Sequence, residues 1–382
     1  MSRAATLVAG ILLPQAWLFG PSLAGQKVLL PLDVLANRNT YLPGTPENRE
    51  MSARAALPVA SDLVLNHEPF RRFVASELHA RRLPFWDPYC YAGAPCVWGF
   101  LSPFDWIYFA WQSPRSLAWV QVAQSLLAAT GAYHFFRRVS AVSFWPATIG
   151  AWCYPLTGFF VVWTGFRLGL AACWLPAVLL ATDAVCRRPA GWAVPGLAAL
   201  TTLTIVSGAI DVAGQVLFTS GLYAIWRLAA GWWSKSAAPR VVVQIAALAA
   251  AWVLGFVLAA PHLLPLAAYI RTGSRMLDRA GGSAERPPVG AEALPQTVLP
   301  NYYGTHGPDS LYLLVGNQLE SAAGAYAGLL AACVLAPLAW LSPKHRSSNG
   351  FWLVLAFLGL SWLLNVPGLV AVWRLPGLNM MS

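Results

Sequence analysis

Charge is what this sequence has least of. Asp, Glu, Lys and Arg make up 10% of its 382 residues, and the acidic share is the smaller, 15 against 25 basic residues. A single water-soluble core of this length would need far more charge to solvate its surface, so a soluble globular chain is excluded. The usual loops of nucleotide and hydrolytic chemistry are missing as well. No Walker loop, dinucleotide fingerprint, HExxH, CxxC pair or Gly-x-Ser-x-Gly elbow occurs, which removes ATP-driven transport within this chain, the usual zinc hydrolysis and serine-hydrolase chemistry. No internal repeat is visible, and with it goes the signature of an inverted-repeat transporter. Charges inside the apolar runs are nearly absent, which argues against a proton relay or ion pathway. Cysteine is sparse, six residues in all. Four fall in apolar runs, where they act as small apolar side chains, and Cys90 and Cys96 are spaced to close a small loop if they meet in an oxidising compartment.

What is present is apolar length. Hydrophobic residues make up 57% of the chain, mean hydropathy is +0.54, and there are 19 Trp, a residue that settles at membrane interfaces. Nine segments are apolar enough to be read as membrane spans of roughly twenty residues: about 4–24, 115–136, 143–163, 168–186, 191–208, 210–229, 241–264, 322–341 and 351–373. The first follows Arg3 like a secretory signal, but Pro14, Pro21 and the lack of a small-x-small cleavage site make it a retained span. The formal charge of +10 would point to nucleic acid in a soluble protein. Here the basic residues fall at alternate span ends, Arg3, then Arg137 and Arg138, Arg187 and Arg188, Arg227, Lys235 and Arg240, and Lys344 and Arg346. That pattern places the N-terminus in the cytoplasm and two large loops, about 25–114 and 265–321, outside; no nucleic-acid partner is expected. The acidic residues then lie outside too, except Asp183.

Residues 61–95, SDLVLNHEPFRRFVASELHARRLPFWDPYCYAGAP, form the densest polar stretch. Leu63, Phe70, Phe73, Val74 and Leu78 can line one face of a helix with Arg71, Arg72, Glu77, Arg81 and Arg82 elsewhere, the pattern of an amphipathic helix in the interface plane. Pro69 requires either a short turn from Asp62 that meets a second helix, or one kinked helix. Asp62 lies near an end in both cases, as a general base or as a plain helix cap. A carboxylate that deprotonates an acceptor hydroxyl, beside cations that hold an anionic leaving group, suits transfer from a lipid phosphate. Arg71 and Arg72 are candidate phosphate ligands, or else a solvated helix side. His67 and Glu68 are substrate ligands or exposed polar groups. Trp86 and Asp87 are substrate contacts, or Asp87 makes an Asx turn within LPFWDPYCYAGAP. Asp33, just past the first span, is a binding residue or a turn. His262 and Arg271, where the seventh span leaves the membrane, offer a second place for a phosphate. Glu320, with His306 and Asp309, is a weaker candidate in the second loop, whose mobile-looking middle suits a gate.

The same run resembles the first external loop of the bacterial YfhO-like membrane proteins, in which an Asp-Leu segment with a following Pro leads through a helix to a Leu-Pro-x-Trp-x-Pro-Tyr-x-x-x-Gly-x-Pro turn. The likeness continues weakly through the hairpin at Gly208, APHLLPLAAYIRTGSR, Pro300-Asn301-Tyr302-Tyr303-Gly304 and Tyr326-x-Gly328-Leu329-Leu330. It departs at Gly208-Ala209-Ile210, where relatives often carry Gly-His-Pro, and at His262, where a Gln is usual. The resemblance implies an all-α polytopic membrane protein of the GT-C glycosyltransferase type, one transmembrane domain over 1–382 with about nine spans, in the bacterial inner membrane. It implies transfer of a sugar from a polyprenyl-phosphate donor to an external glycan or lipid acceptor, with Asp62 on the family's essential acid. The alternative is a non-catalytic transporter or assembly factor for lipid-linked glycans. The cofactor stays open, a divalent cation being one option. Relatives are commonly longer, and the chain stops at LPGLNMMS just past the ninth span, so a C-terminal part is expected to be missing.

Overall fold

The computed structural model describes residues 2–39, 42–53, 60–90, 93–96, 100–232, 238–273, 289–304, 323–375 and 378. The chain is mostly helical. Its principal helices are α1 (Arg3–Leu23), α2 (Glu68–His79), α3 (Pro103–Ala110), α4 (Pro114–Arg138), α5 (Phe144–Cys153), α6 (Leu175–Arg187), α7 (Ala193–Ser207), α8 (Ile210–Trp232), α9 (Ala238–Thr272) and α10 (Arg346–Leu363). The strand content among the described residues is one two-residue antiparallel pair, β1 (Trp86–Asp87) with β2 (Ala94–Pro95), in register Trp86 to Pro95.

Among the described residues, three helical stretches are long and apolar enough to cross a membrane: Arg3–Leu23, Arg167–Arg187 and Arg240–Thr272; Ala193–Ser207 is apolar but shorter. Several predicted spans take a different form. The segment 143–163 is not one helix: α5 ends at Cys153, Tyr154–Leu156 makes a 3-10 turn, and a short helix follows over Gly158–Val162. The Pro155 ring supplies no N–H to continue α5, and the Gly158 N–H is taken instead by the Tyr326 carbonyl at 2.7 Å. The segment 351–373 likewise splits, α10 stopping at Leu363 before a short helix over Leu369–Trp373.

The core forms where small and β-branched side chains let helices approach. Val178, Val185, Leu197, Leu248 and Ala251 pack α6, α7 and α9 together, and the Thr202 hydroxyl donates to the Gly255 carbonyl across the α7–α9 contact at 3.0 Å. Small residues at such crossings are the usual means of packing helices in lipid. Leu7 and Ile11 of α1 pack on Ala129, Ala132 and Ala151, and the Trp152 indole N–H donates to the Leu7 carbonyl at 3.0 Å.

One end of this bundle gathers the basic residues. Arg187 donates to the Arg138 carbonyl at 3.1 Å, Arg240 to the Arg187 carbonyl at 2.8 Å and Arg137 to the Val142 carbonyl at 2.6 Å. The Arg138 and Arg187 carbonyls are ones left open at helix C-termini, where a cation also suits the helix dipole, and the Val142 carbonyl lies in the loop before α5. Asp183, the acidic exception in the sequence, is buried here between Arg187 at 2.5 Å and Arg227 at 2.9 Å, with the Tyr223 hydroxyl donating to it at 2.9 Å. Its position among basic residues follows from that pairing.

Candidate functional site

At the opposite end, residues 60–79 run as one helical stretch with a wide π turn over Leu63–His67. Pro69 explains the turn. It has no N–H to donate back into the preceding turn, and the Glu68 N–H reaches to the Leu63 carbonyl instead. The helical stretch therefore runs on through Pro69, with its wide turn just before it. Single π turns of this kind recur at functional sites.

Helix α2 does not lie with its apolar stripe in lipid, as an interfacial helix would. Val74 and Ala75 are fully buried and pack on Tyr108 and Phe109 of α3 and Leu117 of α4. The amphipathic pattern is thus satisfied by protein. Arg71 shares that inward face and is buried. Its guanidinium donates to the Gly165 carbonyl at 3.2 Å. Burial lowers its pKa, opposed by the nearby Asp105 carboxylate, and an arginine stays charged under such shifts.

Arg71 is one of two buried cations here. Arg167 is 3% exposed and donates to Asp105, 4% exposed, at 2.6 Å. Two guanidinium groups therefore face one deeply buried carboxylate. His67 is buried against Phe166, ring centroids 5.7 Å apart, and its pKa is lowered to about 3 by burial first, then by the charges of Arg71 and Arg167. His262 is also buried, on α9. The Arg167 Nε is buried without a hydrogen-bond partner. Leu63, Arg71, Asp105, Tyr108 and Gly165 line a cavity of about 20 Å3, room for one water.

Two glycines make this junction. Gly165 sits at φ +85 with Leu63 against it, and Gly208 lies so close to the Arg167 turn that a Cβ there would meet the Arg167 carbonyl at 2.4 Å.

The remaining predicted residues divide. Asp62 is exposed; it makes no cap hydrogen bond, and its carboxylate accepts from the Asn66 amide at 3.0 Å. The plain helix cap is not what it does, but it lines neither cavity described in this chain, whereas its neighbour Leu63 does. Glu68 is occupied: it accepts from Arg72 at 2.8 Å and from the Tyr108 hydroxyl at 3.1 Å, and lies 3.9 Å from Arg71. It organises its neighbours. Burial, and after it the contact with Glu68, raises the Tyr108 pKa to about 12. Arg72 points outward, 72% exposed in its side chain, so Arg71 and Arg72 do not act as a pair. Asp87 is buried and accepts from the Tyr89 N–H at 2.9 Å, an Asx turn. Trp86 is exposed, with its ring over Gly93. β2 touches α9, so the hairpin folds the loop back onto the bundle. Asp33 is half-buried in a 3-10 turn, Leu32–Asn39, that contacts the π turn. Arg271 stands exposed on the last turn of α9, about 13 Å along the helix from His262, and so does not join it. Glu320, His306 and Asp309 lie outside the described residues.

Asp105, Tyr108 and the inward role of Arg167 were not legible as site residues. The available signal was a lone acid in the apolar run SPFDWIYFAW and a lone base between two spans, a pattern that marks paired or functional charge in a membrane protein. Cys90 and Cys96 are free thiols. Among the described residues no three His, Cys, Asp or Glu side chains converge as metal ligands. No family model, no curated protein and no solved structure matches this chain.

Proposed function

We propose that this protein is a membrane glycosyltransferase of the GT-C type, with about nine spans, that moves a sugar from a polyprenyl-phosphate donor to an acceptor on the external side of the bacterial inner membrane. The observation that carries this reading is the placement of a carboxylate, Asp62, directly before a π turn whose first residue, Leu63, lines the cavity beside Arg71 and Asp105. Asp62 takes the proton of the acceptor hydroxyl as general base. The excess guanidinium charge stabilises the phosphate as it leaves. Asp105 and Glu68 hold the two arginines in place. A cavity of about 20 Å3 admits no phosphate, so donor binding requires the π turn to move and open the cluster.

The non-catalytic reading, a protein that binds or moves lipid-linked glycans, is favoured by one observation: Asp62 is exposed and lines neither cavity. The two readings part in one experiment. Full-length protein in membranes is given a polyprenyl-phosphate sugar with a labelled sugar, and binding and transfer are measured for wild type, Asp62→Asn and Arg71→Gln. As an enzyme, wild type transfers, Asp62→Asn loses at least about 100-fold in transfer while still binding the donor, and Arg71→Gln weakens donor binding. Near wild-type transfer by Asp62→Asn removes it as the base. Binding without transfer in the wild type supports the second reading.

A further inference from the structure

A second cavity lies at the basic end of the bundle, away from Asp62, and takes no part in the chemistry above. It holds about 500 Å3, within the range of sites that enclose a small molecule or a lipid chain. Its inner end is apolar, walled by Phe135, Leu175, Leu179 and Trp352 together with Tyr154, whose hydroxyl donates to the Ala172 carbonyl at 3.3 Å. Its mouth is polar, formed by Ser140, Ser342, His345, Ser348 and Asn349. Leu175 precedes Arg187, the basic end of α6, by 12 residues, which is about 18 Å of helix. The apolar end thus reaches about half-way through a hydrocarbon layer of roughly 30 Å.

Arginines flank the mouth without lining it. Arg137 donates to the carbonyl of Val142, a lining residue, at 2.6 Å. Arg187 donates to the Arg138 carbonyl at 3.1 Å. Arg346 opens α10 directly after His345. No Asp or Glu lines the cavity, and Asp183 nearby is held between Arg187 and Arg227. A site with cations at the interface and an apolar interior about half a bilayer deep matches a chain that ends in a negative headgroup.

We propose that this cavity binds one anionic phospholipid, with an acyl chain in the apolar interior and its phosphate at the Ser140–His345 mouth, beside Arg137. The proposal rests on the bundle lying in a bilayer, and it shares no residue with the Asp62 site, so the two readings stand or fall separately.

Native mass spectrometry of the full chain in detergent tests it, with phosphatidylglycerol, phosphatidylcholine and inorganic phosphate as separate probes. The expected result is one phosphatidylglycerol retained at energies that strip the rest, with phosphatidylcholine and phosphate lost. Leu179→Trp fills the inner end and should lower the retained fraction at least tenfold. Ser342→Phe covers the mouth without entering the core and should do the same, so it decides the matter if Leu179→Trp fails to fold. Val253→Trp, on an exposed face of α9, should change nothing. Equal retention by wild type and Ser342→Phe overturns the proposal. Equal retention of phosphatidylcholine, or retention of phosphate alone, does so too, since the first means the headgroup charge is not read and the second that no chain is held.

Discussion

His67 is neutral in the folded protein because burial and the charges of Arg71 and Arg167 hold its pKa at about 3. A histidine whose folded pKa is depressed favours the folded state above its unfolded pKa, near 6.5, and that stability is lost as pH falls, since the unfolded chain takes up a proton that the folded chain refuses. At pH 5 the loss amounts to about 2 kcal/mol. Thermal unfolding of wild type and His67→Gln between pH 7.5 and 5 should therefore show the wild type losing more of its midpoint than the variant. Parallel loss in both would place the pH sensitivity elsewhere. Asp105 makes a second residue-level prediction. Removing its charge leaves Arg167 buried and uncompensated, which costs about 3–5 kcal/mol. Asp105→Asn should lower the melting midpoint sharply, and Asp105→Asn with Arg167→Met should recover much of the loss. A double variant as unstable as the sum of the two single ones would mean the two side chains do not interact.

Among the elements, the close approach of the α7–α8 turn to the Arg167 turn sets the site. A methyl group at Gly208 would lie 2.4 Å from a backbone carbonyl, which no rotamer change can relieve. Gly208→Ala should cost about 1–3 kcal/mol and shift Arg167, read as a lower thermal midpoint together with weaker donor binding. An unchanged midpoint would show that the turn gives way freely. The π turn and the two-residue hairpin were legible in part, because Pro69 and the Trp-Asp-Pro sequence act locally. The break of 143–163 at Pro155 was not, because proline is tolerated in membrane helices and only the Tyr326 carbonyl, 168 residues away from Gly158 along the chain, settles where the helix ends.

For the whole molecule, the basic residues gather at one end and the Arg71–Asp105–Arg167 cluster lies at the other. The charge pattern predicts that the basic end faces the cytoplasm. With Cys90 and Cys96 both replaced by Ser, a cysteine introduced at Ser76 should react with a membrane-impermeant maleimide on intact cells, and one at Arg188 only after lysis; the reverse pattern would invert the topology. The sequence by itself determined that the chain is helical and apolar, where its basic residues fall, and that residues 61–79 carry an amphipathic stripe. Those follow from composition and from patterns a few residues long, which act wherever the chain goes. Only the tertiary structure decided that the stripe packs on α3 rather than on lipid, that Arg71 turns inward while Arg72 turns out, and that Asp105 meets Arg167 across 62 residues of sequence. A charge can leave water only where a partner stands ready for it, and which partner that is depends on which helices pack together.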